Sequence, residues 1–369
     1  DLFIVNTCSF VQSAREESVD TIIEAAQLKK EGKIKRLIVC GCLPQLYSEK
    51  LLKNLPEVDS IVGTSDIPKI SSIVKALFIK NTPVSSVSKK LSYLYNENSP
   101  RFSLTPPHFA YLKISEGCDN LCSYCIIPRL RGRFRSRSME SVIEEAKNLS
   151  SSGKLREINI IGQDTTLFGN DIYGRQKLPE LLKRIASLRN GVKWIRLLYT
   201  HPAHYGVKLI NTLRDEKKIC RYLDLPVQHI SDPILRKMNR HTTKKEIICL
   251  IESLRKNIPG LTLRTSVIIG FPGETDKEFN ELLTFLKDTR FEKLGAFIYS
   301  AEEGSKAYKF PRSVPDNIKN QRFDEVMKLQ QKISADINKS YMGKTVNVLI
   351  DEPCTIQNAS GIFQVQGKP

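Results

Sequence analysis

From Tyr111 to Ser300 the chain repeats one arrangement six times, a short apolar run of strand character, in most cases followed by a stretch with helical spacing. The runs are YLKIS, EINIIG, WIRLLY, YLDLPV, TLRTSVIIG and KLGAFIYS. Parallel strands need a crossover rather than a tight turn, and a helix supplies it, so this alternation points to a parallel α/β sheet. Six units in succession predict a full or partial (β/α) barrel, TIM-like in plan, with its chemistry on the loops at the carboxyl ends of the strands.

Residues 1–80 show the same alternation on a smaller scale, with LFIV, RLIVCGC and SIVG separated by amphipathic stretches, and predict an N-terminal parallel α/β domain. Residues 81–107 lose the periodicity, gather Ser, Asn and Pro, and read as a linker. The barrel is expected over 108–340. A new β pattern, KTVNVLIDEP, begins near Gly343, but residues 341–369 are too few to bury a core and read as the start of a small all-β domain. The text opens at Asp1 directly on a strand-like run, so an upstream segment is expected. No apolar run approaches the ~20 residues of a membrane helix, and no membrane role is expected. A net charge of +17, from 57 Lys and Arg against 40 Asp and Glu, favours a polyanionic partner such as RNA or a ribonucleoprotein over charge carried for solubility.

Nine cysteines without an export signal, gathered in loop clusters, point to a reducing cytoplasm rather than to disulfides. Cys118, Cys122 and Cys125 have the spacing C-x3-C-x2-C just after the first barrel strand. Zinc prefers two ligand pairs closing a tetrahedron, and no second pair follows. Three thiolates on an iron-sulfur cubane instead leave one iron without a protein ligand, free to take a small molecule. Cys8 follows LFIVNT and Cys42 follows RLIVCG, so both fall just past strand ends, on the edge where open α/β sheets bind ligands. Two thiolates rarely hold a cluster, so a third ligand is expected elsewhere. Cys40 lies inside its apolar run and reads as a buried small hydrophobe; Cys220, Cys249 and Cys354 read as structural.

These residues carry a resemblance. EGCDNLCSYCIIPRLRGRFRSR resembles the radical S-adenosylmethionine (SAM) signature of the methylthiotransferases, and VNTCSF with CGCLPQ is similar to their N-terminal cluster-binding domain; the likeness covers nearly the whole chain. It implies two [4Fe-4S] clusters and SAM as cofactors. Cys118, Cys122 and Cys125 would hold the SAM-binding cluster, Cys8 and Cys42 the auxiliary one, with its first ligand before Asp1, and the C-terminal piece would begin a TRAM-like domain. EGCDN, GQDTTLFGND from Gly162, YLDLPVQHISDPILRKMNR from Tyr222 and YSAEEGSKAY resemble the RimO-type branch, which modifies an aspartate of the twelfth small-subunit ribosomal protein. The tRNA-modifying branch usually reads GQN where Asp164 stands and QSGSD where QHISD stands. A non-catalytic iron-sulfur RNA-binding protein is the alternative of another class.

The resemblance implies that one SAM is cleaved reductively to a radical that takes hydrogen from the aspartate β-carbon, while a second gives the methyl group. Partners would be the ribosomal protein, an electron donor such as a flavodoxin or ferredoxin, and an RNA contact. VIIGFPGET resembles the part of these barrels that lines the cofactor site, so Gly270 and Gly273, with Gly162 and Gln163 at a comparable strand end, are expected to bind cofactor through backbone, ahead of Glu274 as a catalyst. The alternate arginines of RLRGRFRSR, Arg129 to Arg137, would share one face if extended and could meet phosphates. His201 and His204, beside Pro202 and with no carboxylate near in sequence, read as incidental.

Overall fold

The computed structural model describes residues 1–80, 84–189 and 191–351. Strand β1 (Leu2–Thr7) is followed by α1 (Gln12–Lys30), β2 (Arg36–Gly41), α2 (Cys42–Asn54), β3 (Ser60–Gly63), α3 (Ile70–Lys80) and β4 (Val84–Ser86). The four strands form one parallel sheet in the order β1-β2-β3-β4. Helix α1 buries Ser18, Ile22, Ala25 and Ala26, the i, i+4, i+7, i+8 stripe of an amphipathic helix. Successive strand residues point to opposite faces, so β2 sends Leu37 and Val39 into one apolar cluster with Ile22, and Ile38 and Cys40 into the other with Leu77. Cys40 is thus the buried hydrophobe its run foretold. The Ser-rich segment after residue 80 contributes β4, whose pairing with β3 the composition did not reveal.

The second unit begins with β5 (Phe109–Lys113), the short β6 (Ser115–Glu116), α4 (Ile127–Arg131), β7 (Arg135–Ser136) and α5 (Met139–Ser150). It continues through β8 (Glu157–Ile161), α6 (Asn170–Tyr173), α7 (Leu178–Ala186), β9 (Trp194–Leu197), α8 (Val207–Asp215) and β10 (Ile219–Asp224). It closes with α9 (Asp232–Lys237), α10 (Lys244–Asn257), β11 (Thr262–Ile269), α11 (Asp276–Thr289), β12 (Lys293–Ile298) and α12 (Asp316–Lys339). All six expected strands pair in parallel in the order β5-β8-β9-β10-β11-β12, while β6 and β7 form a separate antiparallel pair. Six strands make a partial barrel.

The residues packed under the helices are Ala110 and Leu112, Ile158 and Ile160, Ile195 and Leu197, and Leu263 and Val267, within one continuous apolar core. Their neighbours in each strand therefore face the barrel interior. Helix α7 presents Leu178, Leu181, Leu182 and Ile185 to this core, and α10 and α11 start from capping boxes, Thr243 with Glu246 and Thr275 with Glu278. Helix α12 lies against β12, and Gln330 Nε2 donates to Phe291 O at 2.9 Å. Residues 341–351 form no strand, and the rest of the expected TRAM-like piece, with Cys354, lies outside the described residues. Among the described residues no helix is long and apolar enough to cross a membrane.

Candidate active site

Strand β5 hands the chain to the cysteine loop at its carboxyl end. The loop is tied down by backbone: Ser123 N donates to Met238 O at 2.9 Å, Ser123 Oγ to Lys237 O at 2.7 Å, and Ala307 N to Ser123 O at 2.7 Å. Asn239 Nδ2 adds a bond to Leu121 O at 2.9 Å. All three cysteines are half-buried, and each sulfur has an N–H donor. Asn120 Nδ2 reaches Cys118 Sγ at 3.4 Å, Arg240 Nη1 reaches Cys122 Sγ at 3.8 Å, and Ile127 N reaches Cys125 Sγ at 3.4 Å. Donors placed on sulfur favour the thiolate, the form that binds iron. Burial pushes the Cys118 thiol up to about 11 and the Cys125 thiol up to about 12, so positive charge from bound metal is needed to hold both deprotonated.

Among the described residues no three His, Cys, Asp or Glu side chains converge on one point as ligands of a single ion. A cubane does not ask for that, because its three thiolates bind three different irons. The donor set therefore fits a cluster.

Beside the cysteines stands a polar group that the chain spacing concealed. Asp164, buried after β8, accepts from Asn120 Nδ2 at 2.7 Å, from His204 Nδ1 at 2.9 Å and from Thr166 N at 3.0 Å. Burial works to raise its pKa, but the bond and charge of His204 outweigh it and hold the carboxyl below its usual range. The His204 ring stacks on His201, centroids 4.7 Å apart. The pair read as incidental thus has a carboxylate partner after all, 40 residues away in sequence and adjacent at the strand ends.

Gly270 and Gly273 adopt φ of +73° and +87° at the end of β11. Glu274 is 4% exposed; it accepts from Gly270 N at 3.1 Å and from Arg322 Nη1 at 2.7 Å, so it holds the glycine turn in shape. Gly162 lies so close to β6 that a Cβ would stand 2.5 Å from Ser115 Oγ, and the buried Oε1 of Gln163 has no partner among the described residues.

The register Thr7↔Gly41 brings the carboxyl ends of β1 and β2 together, with Cys8 exposed and Cys42 buried just beyond them. Cys42 packs with Leu46 against Ile126 and Leu130 of the barrel, and Arg131 Nη2 points at its sulfur from 3.5 Å. Cys42 therefore sits against α4, the helix that follows Cys125 in the chain. Pro128 in the first turn and Gly132 after the last turn delimit that helix, so the arginines of RLRGRFRSR do not share a face as the extended reading required. Arg129 and Arg131 are helical, Arg133 is exposed, and Arg137 is buried against Glu145.

Residues 112–286 match the radical SAM superfamily, and residues 1–63 match a family described as Uncharacterized protein family UPF0004. The ribosomal protein uS12 methylthiotransferase RimO of Clostridioides difficile is 48% identical over 352 residues, which span 95% of this chain and 78% of that protein. The RimO of Geotalea uraniireducens is 46% identical over 357 residues, with the same coverage of 95% and 78%. The chain belongs to the RimO family. As a member of that family it is a radical SAM methylthiotransferase, an iron-sulfur enzyme that uses SAM. The RimO fold also has solved neighbours: the radical SAM methyltransferase TsrM from Kitasatospora setae, with TM-score 0.59, 15% identity and coverage of 75% and 60%, and OxsB, with 0.57, 13%, 95% and 54%. At such identities they speak for the fold alone, a parallel barrel beside a second α/β unit.

Proposed function

We propose that this protein adds a methylthio group to the β-carbon of an aspartate in ribosomal protein uS12. Supporting the substrate is the kinship with proteins named for that activity, at 43–48% identity over 95% of the chain. The observation that carries the reaction class is the packing of Cys42 against α4, the helix that starts two residues after Cys125, since methylthiolation needs radical chemistry and sulfur delivery at one place. Cys118, Cys122 and Cys125 would hold the SAM-binding cluster, and Cys8 and Cys42 would belong to the auxiliary one; Gly162, Gln163, Gly270 and Gly273 would line the SAM site.

Bound there, the cluster and SAM supply one-electron chemistry that can take a hydrogen atom from an unactivated carbon, which acid–base catalysis cannot do. The chain does the rest. The loop bonds from Ser123 and Asn239 fix the sulfur positions, and the buried Arg240 places a cation beside Cys122. Asp164 orients Asn120 toward Cys118. The barrel wall keeps water from the reacting carbon.

The divisions 1–80, 108–340 and 341–369 would serve as domain, barrel and the start of a third domain, while the linker expected over 81–107 begins only after β4, which belongs to the first sheet. An electron donor of flavodoxin or ferredoxin type and a contact to ribosomal RNA complete the reading, in a reducing cytoplasm; the +17 charge supports the RNA contact. The test is anaerobic reconstitution with SAM, dithionite and either uS12 or tRNA. A mass gain of one methylthio group on the uS12 aspartate is expected. Modification of tRNA with uS12 left untouched would overturn the substrate.

A further inference from the structure

A complete parallel barrel fills its interior with branched apolar side chains. Here the inward positions of the six strands carry charge: Lys113, Arg196, Arg264 and Lys293 against Glu157 and Asp224. The interior is thus lined with ion pairs in place of apolar side chains, and a cation among them with a donor to spare suits an anionic group.

The four cations are not equivalent. Arg196 gives Nε and Nη2 to Glu157 at 2.7 and 3.4 Å, and the Tyr222 ring covers its face at 4.9 Å. Lys113 is bound by Glu116, and Lys293 is the first residue of β12, at the amino end, away from the loops. Arg264 differs. Its Nη1 donates to Asp224 Oδ1 at 2.6 Å, and no bond to its Nε or Nη2 is seen among the described residues. Asp224, 3% exposed and the last residue of β10, is itself fixed by Tyr199 N at 3.2 Å. On the other side β12 offers Gly295, where a Cβ would lie 3.8 Å from Arg264 Nη2 and 3.4 Å from the Phe297 ring. The guanidinium is therefore anchored at one nitrogen and open at another, and its side chain remains 37% exposed.

We infer that Arg264 receives the carboxylate of the substrate aspartate, which makes it a substrate-binding and specificity-determining residue. This rests on the function proposed above. In aspartate the β-carbon is bonded directly to the carboxyl carbon, so a fork-shaped clamp on the carboxylate fixes the C–H to be broken within one bond. An uncharged base of an RNA would gain much less from the same clamp.

The test compares two peptides spanning the uS12 target, one with aspartate and one with asparagine there. Binding to the anaerobically reconstituted full chain with SAM is read by fluorescence anisotropy, alongside methylthiolation. The wild type should prefer aspartate by about 10- to 100-fold, the range for a hydrogen bond to a charged group. In Arg264→Met the preference should fall to about one, and Arg264→Lys should keep part of it. Gly295→Val guards against misfolding, because it leaves the Arg264–Asp224 bond intact while its methyl groups screen Nη2; it too should lose the preference. If Arg264→Met and Gly295→Val discriminate as the wild type does, the inference is wrong and the function stands. If the wild type neither binds nor modifies the aspartate peptide but acts on tRNA, the proposed function fails and the inference with it.

Discussion

His201 is held neutral by its surroundings, since burial, and after it the Arg240 guanidinium, push its pKa down to about 2. Its Nδ1 accepts from Ala203 N at 3.2 Å, which leaves the proton on Nε2. In the unfolded chain the imidazole returns to about 6.5. Below that pH the unfolded state takes up a proton that the folded state refuses, so stability falls as the pH falls, by up to about 1.4 kcal/mol per pH unit. Urea midpoints should drop between about pH 6.5 and about pH 5, and His201→Gln should flatten the slope. The two glycines after β11 predict a contrast of another kind. At Gly273 a Cβ would clash with the Nζ of Lys237, the outer end of an exposed side chain, so Gly273→Ala should cost about 1–2 kcal/mol of backbone strain. At Gly270 it would meet the stem of Lys319, which is buried and tied to Asp316 at 3.0 Å, so Gly270→Ala should cost about 2–4 kcal/mol. Equal losses in thermal unfolding would show that the Lys319 stem yields.

Helix α1 begins without a side-chain cap of its own and without an acid in its first turn. Glu302, from the barrel loop after β12, supplies both: it accepts from Gln12 N at 3.0 Å and pairs with Arg15 at 2.9 Å while only 3% exposed. A carboxylate there satisfies an orphan N–H and the positive end of the helix dipole. Glu302→Ala should cost about 1–3 kcal/mol, speed hydrogen exchange in the first turn of α1, and leave the barrel helices unchanged; Glu302→Gln should do less. No sequence pattern announces such a cap, because its halves lie 290 residues apart. The same reason hid the pairing of Asp164 with His204. What was legible was local: six strand runs whose outward residues alternate with inward ones, and three cysteines within one loop. The alternate arginines misled because Pro128 and Gly132, read correctly, mark a helix rather than a strand.

At the scale of the whole molecule the reaction depends on how the N-terminal sheet sits on the barrel. Besides Glu302 and the approach of Arg131 to Cys42, the contact includes Cys42 and Leu46 on Ile126 and Leu130, and Thr64 Oγ1, which donates to Leu130 O at 2.7 Å in a buried bond. Thr64 follows β3 and lies outside the cysteine loop, so it can be changed without touching the residues around Cys118 to Cys125. Thr64→Val keeps the shape and strips Leu130 O of that donor, a loss of about 1–3 kcal/mol. That loss falls on the registration of the two units, whereas the loop bonds from Lys237, Asn239 and Ala307 remain. Cleavage of SAM is a property of the barrel, and sulfur delivery needs the N-terminal unit in register. The variant should therefore keep releasing 5′-deoxyadenosine at close to the wild-type rate while the yield of methylthiolated uS12 per 5′-deoxyadenosine falls. A proportional fall in both products would mean that Thr64 supports the cysteine loop through α4, and that the two cysteine groups are built as one unit.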